Sequence, residues 1–183
     1  RAANDSPART LAVTNVVGST ATREADDALF IRAGPEIGVA ATKTFSSQVA
    51  ALTLLAERLG DQPGSQTSDA DADGNVLSAL RSLPDDVERV VGHGGAERLA
   101  TQYADADSYF FLGRGVGYPV ALEGALKFKE ITYEHAEGFA AGQLKHGPLA
   151  LVTPATVLIA VFTGRSDELT LHNVREAQSR GAP

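Results

Sequence analysis

Around the segment GALKFKEITYEH, residues 124–135, acidic and basic residues recur at helical spacing: Glu123, Lys127, Glu130 and Glu134. At about 100° per residue these four share a stripe about 60° wide. Val120 and Ile131 lie to one side of the stripe, Leu122 and Leu126 to the other. A carboxylate one turn from an ammonium suits proton transfer, the carboxylate acting as base and the ammonium steadying negative charge that develops on oxygen. The same spacing also builds a plain ladder of ion pairs on a solvated helix face. Spacing alone leaves both readings open. Lysine is scarce in this chain, however, and three of its four lysines, Lys127, Lys129 and Lys145, fall in this neighbourhood.

Downstream, AEGFAAGQLKHGPLAL (136–151) sets His146 between glycines and an apolar run. This predicts a histidine on a loop that enters a buried strand, GPLALV. Imidazole titrates near neutrality and suits acid–base work, and loops carry function disproportionately often. A structural or merely exposed histidine fits the same pattern.

The elements that must position these groups follow from periodicity and turn residues. TLAVTN (10–15), ALFIRAG (28–34), SYFFLG (108–113) and TVLIAVF (156–162) read as short strands. Helices are predicted over 43–59, with Thr42 as N-cap, over 76–91 with an interruption at Pro84, over 96–104, from about Tyr118 onward, and over DELTLHNVREAQSR. Pro119 sits in the first turn of its helix, where a missing N–H costs nothing. Strands alternating with helices imply parallel βαβ units with right-handed crossovers. The acidic stretch DQPGSQTSDADADGN (61–75) has no apolar periodicity and reads as a solvated linker. It divides the chain into 1–60 and 76–183.

Two motifs fail on inspection. In DADADGN, Asp69, Asp71, Asp73 and Gly74 match the opening of a calcium loop, but Leu80 occupies the twelfth place, where a bidentate Glu is required. In GRGVGY, Gly113, Gly115 and Gly117 suggest a dinucleotide fingerprint, but Tyr118 stands where its third glycine belongs. A helix N-terminus facing a crevice at the carboxyl edge of a sheet remains the expectation there.

Composition sets the outer bounds. Hydrophobic residues make up 43% of 183 residues and aromatics only 6%, the profile of a globular α/β protein. A net charge of −7 argues against a nucleic-acid surface, yet it leaves room for anionic small ligands held by backbone amides. The chain has no cysteine for a disulfide or thiolate metal site. Its apolar runs are too short to span a bilayer, and no leader opens it, so a cytoplasmic protein is expected. With no methionine and an abrupt start at Arg1, it reads as a processed product or a fragment.

Two long stretches resemble a known family. TNVVGSTATREADDALFIRAGPEIGVAATKTFSSQVAAL and FFLGRGVGYPVALEGALKFKEITYEHAEGFAAGQLKHGPLAL are similar to the isomerase part of glutamine–fructose-6-phosphate amidotransferases. The resemblance covers nearly the whole chain, with the linker as its divergent part. It implies α/β architecture: two sugar-isomerase (SIS) subdomains, each a parallel sheet with helices on both faces in flavodoxin-like three-layer form, within a homodimer. It implies no cofactor. The reaction implied converts fructose 6-phosphate, with ammonia delivered from glutamine by a separate glutaminase domain, into glucosamine 6-phosphate. Glu130 in LKFKE then resembles the base that moves a proton between sugar carbons 1 and 2, and Lys127 the residue assisting at the sugar oxygens. His146 in LKHGP resembles the ring-opening residue, which the family supplies from the neighbouring subunit. Val39 in EIGVA matches a backbone contact to substrate.

The resemblance also implies parts outside this chain: a Ser/Thr-rich phosphate loop ahead of residue 1, and closing strands with a lysine-bearing tail beyond residue 183. The first subdomain is therefore expected to be incomplete at its start and the second at its end, and the isolated chain to be inactive. Two alternatives share the same subdomains: a sugar-phosphate-binding module without turnover, and a deglycase acting on fructosamine phosphates.

Overall fold

A computed structural model describes residues 8–60, 70–164 and 166–183, with side chains of 70–75 left aside. The chain forms two compact units, Arg1–His93 and Gly94–Pro183.

In the first unit, strands β1 (Leu11–Thr14) and β2 (Asp27–Phe30) pair in parallel, Leu11 opposite Asp27 and Thr14 opposite Phe30. A short helix, α1 (Thr20–Glu24), connects them, capped by the Ser19 hydroxyl, which accepts from the Thr22 N–H. Helix α2 (Lys43–Gly60) follows where the pattern predicts it. Its expected cap differs. Thr42 donates its hydroxyl to Glu36 rather than capping the helix, and the Glu36 Oε1 accepts from the Thr42 and Lys43 amides at 2.9 and 3.0 Å. A carboxylate six residues upstream thus satisfies the orphan donors that a local hydroxyl was expected to take.

Helix α3 (Ala70–Gly92) begins inside the stretch read as linker, and residues 61–69, most of that stretch, lie outside the described residues. Pro84 does not break it. The ring removes one N–H from the helical ladder, and the helix continues past it to Gly92. The compact units meet at His93 and Gly94. There Gly94 turns the chain with φ 66°.

The second unit carries both clusters of buried side chains. After α4 (Gly95–Tyr103), strand β3 (Ser108–Gly113) runs at the centre of a parallel sheet in the order β4-β3-β5, with β4 at Ala136–Ala140 and β5 at Thr156–Ala160. Side chains alternate across β3 as strand geometry requires. Phe110 and Leu112 face Leu144, Val152 and Ala177 on one side. Tyr109 and Phe111 face Ala121, Ala125 and Ala136 on the other. The odd-numbered face is covered by α5 (Gly117–Thr132) and the even-numbered face by two 3₁₀ turns and α6 (Asp167–Gln178). This is the α/β arrangement expected, with helical elements on both faces of a parallel sheet.

One local expectation changes. GPLALV is not a strand. Gly147, at φ 145°, and Pro148 open a 3₁₀ turn over Pro148–Leu151. AEGFA (Ala136–Ala140), to which the pattern assigns no element, is strand β4, paired with β3 from Tyr109–Ala136 to Gly113–Ala140.

Candidate active site

Helix α5 is fixed to the sheet by glycine. A Cβ on Gly113 would lie 2.0 Å from the carbonyl oxygen of Gly117, so the end of β3 and the first turn of α5 are in backbone contact that no side chain permits. Gly138 on β4 does the same for the flank of α5, where a Cβ would meet the Leu122 Cα at 2.8 Å. The failed dinucleotide motif therefore has a packing role: its first glycine admits the helix. Farther along, Tyr109 and Phe111 of β3 pack around Phe128, with ring centroids 4.3 and 5.9 Å apart.

Two turns and more past Gly117, Lys127 directs its Nζ to Glu130 Oε2 at 2.5 Å and to Glu123 Oε1 at 3.5 Å. All three side chains are largely covered, with relative exposures of 20, 30 and 23%. The hydrogen bond with Glu130 raises the Lys127 pKa above its ordinary value, and the Glu123 charge adds to this against the cost of burial. The ammonium is therefore cationic at neutral pH, so the proton-accepting member of the pair is the carboxylate. Glu130 Oε1 makes no hydrogen bond with the described residues.

Glu134 leaves the stripe. Tyr133, at φ 63°, ends α5 in the left-handed conformation, its N–H bonded to the Lys129 carbonyl. Glu134 therefore lies past the helix end, exposed, with its N–H bonded to Thr132 Oγ1. The line of four is a cluster of three.

His146 closes the first 3₁₀ turn (Ala141–His146) and is exposed, without a hydrogen bond or ion pair among the described residues. The structure thus joins Lys127 to Glu130, and among the described residues His146 bonds to neither. The turn that bears it is held from beneath. Leu144 is fully buried, and Arg114, just past β3, runs under Gly142, where a Cβ would come within 3.0 Å of its Nη2. Arg114 Nη2 donates to Asn173 Oδ1 at 3.2 Å, and Asn173 Nδ2 donates to Glu176 Oε2 at 3.0 Å. Arg114 Nε is buried without a partner. The Asn173 bond holds the Glu176 carboxyl below its usual pKa, helped by His172 and Lys145.

Val39 belongs to the first unit, in the loop between Glu36 and α2, and is 89% exposed. Glu36 is the residue sequence reasoning missed here. Besides its bonds to Thr42 and Lys43, it accepts from the Thr44 hydroxyl, and these donors lower its pKa to about 2. Among the described residues no group of three acidic, histidine or cysteine side chains is placed to hold a metal ion. No helix among them is long and apolar enough to cross a membrane.

Residues 1–58 and 102–183 match the SIS domain family, and the chain belongs to it. It is 56% identical over 185 residues to the glutamine–fructose-6-phosphate aminotransferase (isomerizing) of Halobacterium salinarum, covering all of this chain and 30% of that protein. The same enzyme of Methanosarcina mazei is 49% identical, covering 94% of this chain and 28% of that protein. The chain thus spans about 30% of the length of these curated relatives. Among solved structures, the C-terminal domain of glucosamine-fructose-6-phosphate aminotransferase from Francisella tularensis superimposes with a TM-score of 0.82 at 35% identity, over 94% of this chain and 49% of that one. A putative phosphosugar isomerase from Silicibacter pomeroyi gives 0.76 at 28% identity, over 94% of this chain and 49% of that one.

Proposed function

We propose that this chain is the isomerase part of a glutamine–fructose-6-phosphate aminotransferase and serves proton transfer between carbons 1 and 2 of the sugar. The observation that carries the reading is the covered Lys127–Glu130 pair, with one carboxylate oxygen engaged by the ammonium and the other unbonded among the described residues. Glu130 takes the proton from one carbon and returns it to the next. Lys127, held cationic, stabilises the enediolate oxygen that forms in between. His146 opens the sugar ring, and the Val39 main chain contacts the substrate. The working protein is a cytoplasmic homodimer that uses fructose 6-phosphate and ammonia from a glutaminase domain of the longer polypeptide, with no metal or organic cofactor. The names of the relatives support the reaction class.

A second reading, sugar-phosphate binding without turnover, draws on His146, which is exposed and makes no bond among the described residues. Calorimetry with fructose 6-phosphate and glucosamine 6-phosphate, run beside a turnover assay on the full-length polypeptide, separates the two. Binding with turnover is the expected result; binding without it selects the second reading. The isolated 183-residue chain is expected to be inactive, and appreciable isomerisation by it would overturn that expectation.

A further inference from the structure

We propose that Glu36 is a positioning residue for ligand binding, clamping the Ile37–Ala41 loop in the form that presents the main chain of Val39. The loop is gripped at both ends by side chains. At its entry, Asn15, just past β1, donates from Nδ2 to the Gly34 carbonyl at 2.6 Å and accepts from the Ala33 N–H at 2.9 Å. At its exit, the Glu36 carboxylate takes the Thr42 and Lys43 amides and the hydroxyls of Thr42 and Thr44. The five residues between Glu36 and Thr42 are thereby closed into a short loop whose ends are tied to the same carboxyl group.

Side-chain packing does little to fix that loop. Ile37 is 96% and Val39 89% exposed, and within it Ala40 alone is buried. An exposed five-residue loop that makes so few apolar contacts samples many conformations unless its backbone is tethered. Four bonds to one ionised carboxylate supply the tether, and bonds to a charged acceptor are stronger than those to a neutral one. A main-chain contact to a ligand has no side chain with which to adapt. Its affinity therefore depends on how far the loop is pre-formed. The same carboxylate sits at the N-terminal end of α2, so it orders the loop and complements the helix dipole at once.

The inference rests on the proposed role of Val39 in sugar-phosphate binding. Its test uses the full-length polypeptide, with fructose 6-phosphate as probe in calorimetry and steady-state kinetics. Glu36→Ala is expected to weaken binding about tenfold, in line with the loss of charge-assisted bonds that order a loop. The loss should appear in KM and not in kcat. Glu36→Gln keeps Oε1, which takes three of the four bonds, and should recover most of the affinity. If Glu36→Ala does not fold, Glu36→Asp decides, since it keeps the charge and falls one methylene short of the Thr42 and Lys43 amides. Affinity within about twofold of wild type in the folded variant overturns the positioning role. A wild-type protein that neither binds nor turns over the sugar phosphate overturns the functional reading, and this inference with it.

Discussion

Lys127 and Glu130 stand one helical turn apart on α5, Nζ 2.5 Å from Oε2, with Glu123 closing on the same ammonium from the turn before. A side chain in this setting keeps its position when its charge is removed, because an amide oxygen still reaches the lysine. Glu130→Gln is therefore expected to cut sugar isomerisation by the full-length protein at least about a hundredfold. Glutamine hydrolysis and far-ultraviolet circular dichroism should not change. Undiminished glucosamine 6-phosphate synthesis would refute the assignment of Glu130 as base.

Acid stability is expected to depend on Glu36. Its folded pKa, about 2, lies below the ordinary carboxyl value of 4.5. A depressed carboxyl pKa stabilises the fold fully above the unfolded value, and that contribution fades as pH falls toward the folded one. Denaturation midpoints measured from pH 7 down to pH 2 should show wild type more stable than Glu36→Gln above about pH 5, with the two converging toward pH 2. A constant offset between the two across this range would count against the carboxylate as the source.

Two glycine substitutions should separate a rigid from a yielding contact. Gly113→Ala drives a Cβ into the backbone of Gly117, which cannot retreat without moving α5. It is expected to cost about 3 kcal/mol or more. Gly124→Ala meets the ring edge of Phe111 at 3.0 Å, and a ring can tilt. There the gain in helix propensity offsets much of the strain, leaving a change within about 1 kcal/mol. Urea titrations that rank the two variants equally would contradict the close approach at Gly113.

Asn173 is 4% exposed and bridges Arg114 to Glu176. Arg114 Nε already lacks a partner, so Asn173→Ala strands more of a covered guanidinium. A loss of about 1–3 kcal/mol is expected by thermal or urea denaturation. Asn173→Asp, which keeps an acceptor for Arg114 but sets a second carboxylate against Glu176, should fall between alanine and wild type. Full stability of the alanine variant would show that the bridge contributes nothing.

Where local pattern and tertiary setting agree, the sequence is readable. SYFFLG is strand β3 residue for residue, and α2 starts at Lys43 as expected. The Lys127–Glu130 pair also follows from helical spacing, since an i,i+3 relation needs only the helix. The misses have physical causes. AEGFA holds no β-branched residue and contains a glycine, and it becomes a strand because β3 offers it a full set of parallel partners. Glu134 fits the helical wheel, but Tyr133 adopts a backbone conformation that nothing in its own side chain favours. Glu36 escapes because capping patterns are read across three residues, whereas its carboxylate reaches forward to amides six and seven residues downstream. Its type and place ahead of TKT were visible, but not the loop that brings it round.

The backbone contact between Gly113 and Gly117 sets where the first turn of α5 sits on the sheet, and with it the line along which the helix carries Lys127 and Glu130. Lys127 lies ten residues from Gly117, an arm of about 15 Å along the axis. A change of helix direction of about 4° over that arm would displace the ammonium by about 1 Å, and a misplacement of that size can cost about a hundredfold in rate. Small residues where strand meets helix thus govern aim as well as stability. A substitution there that leaves the protein folded is expected to register first as slower chemistry.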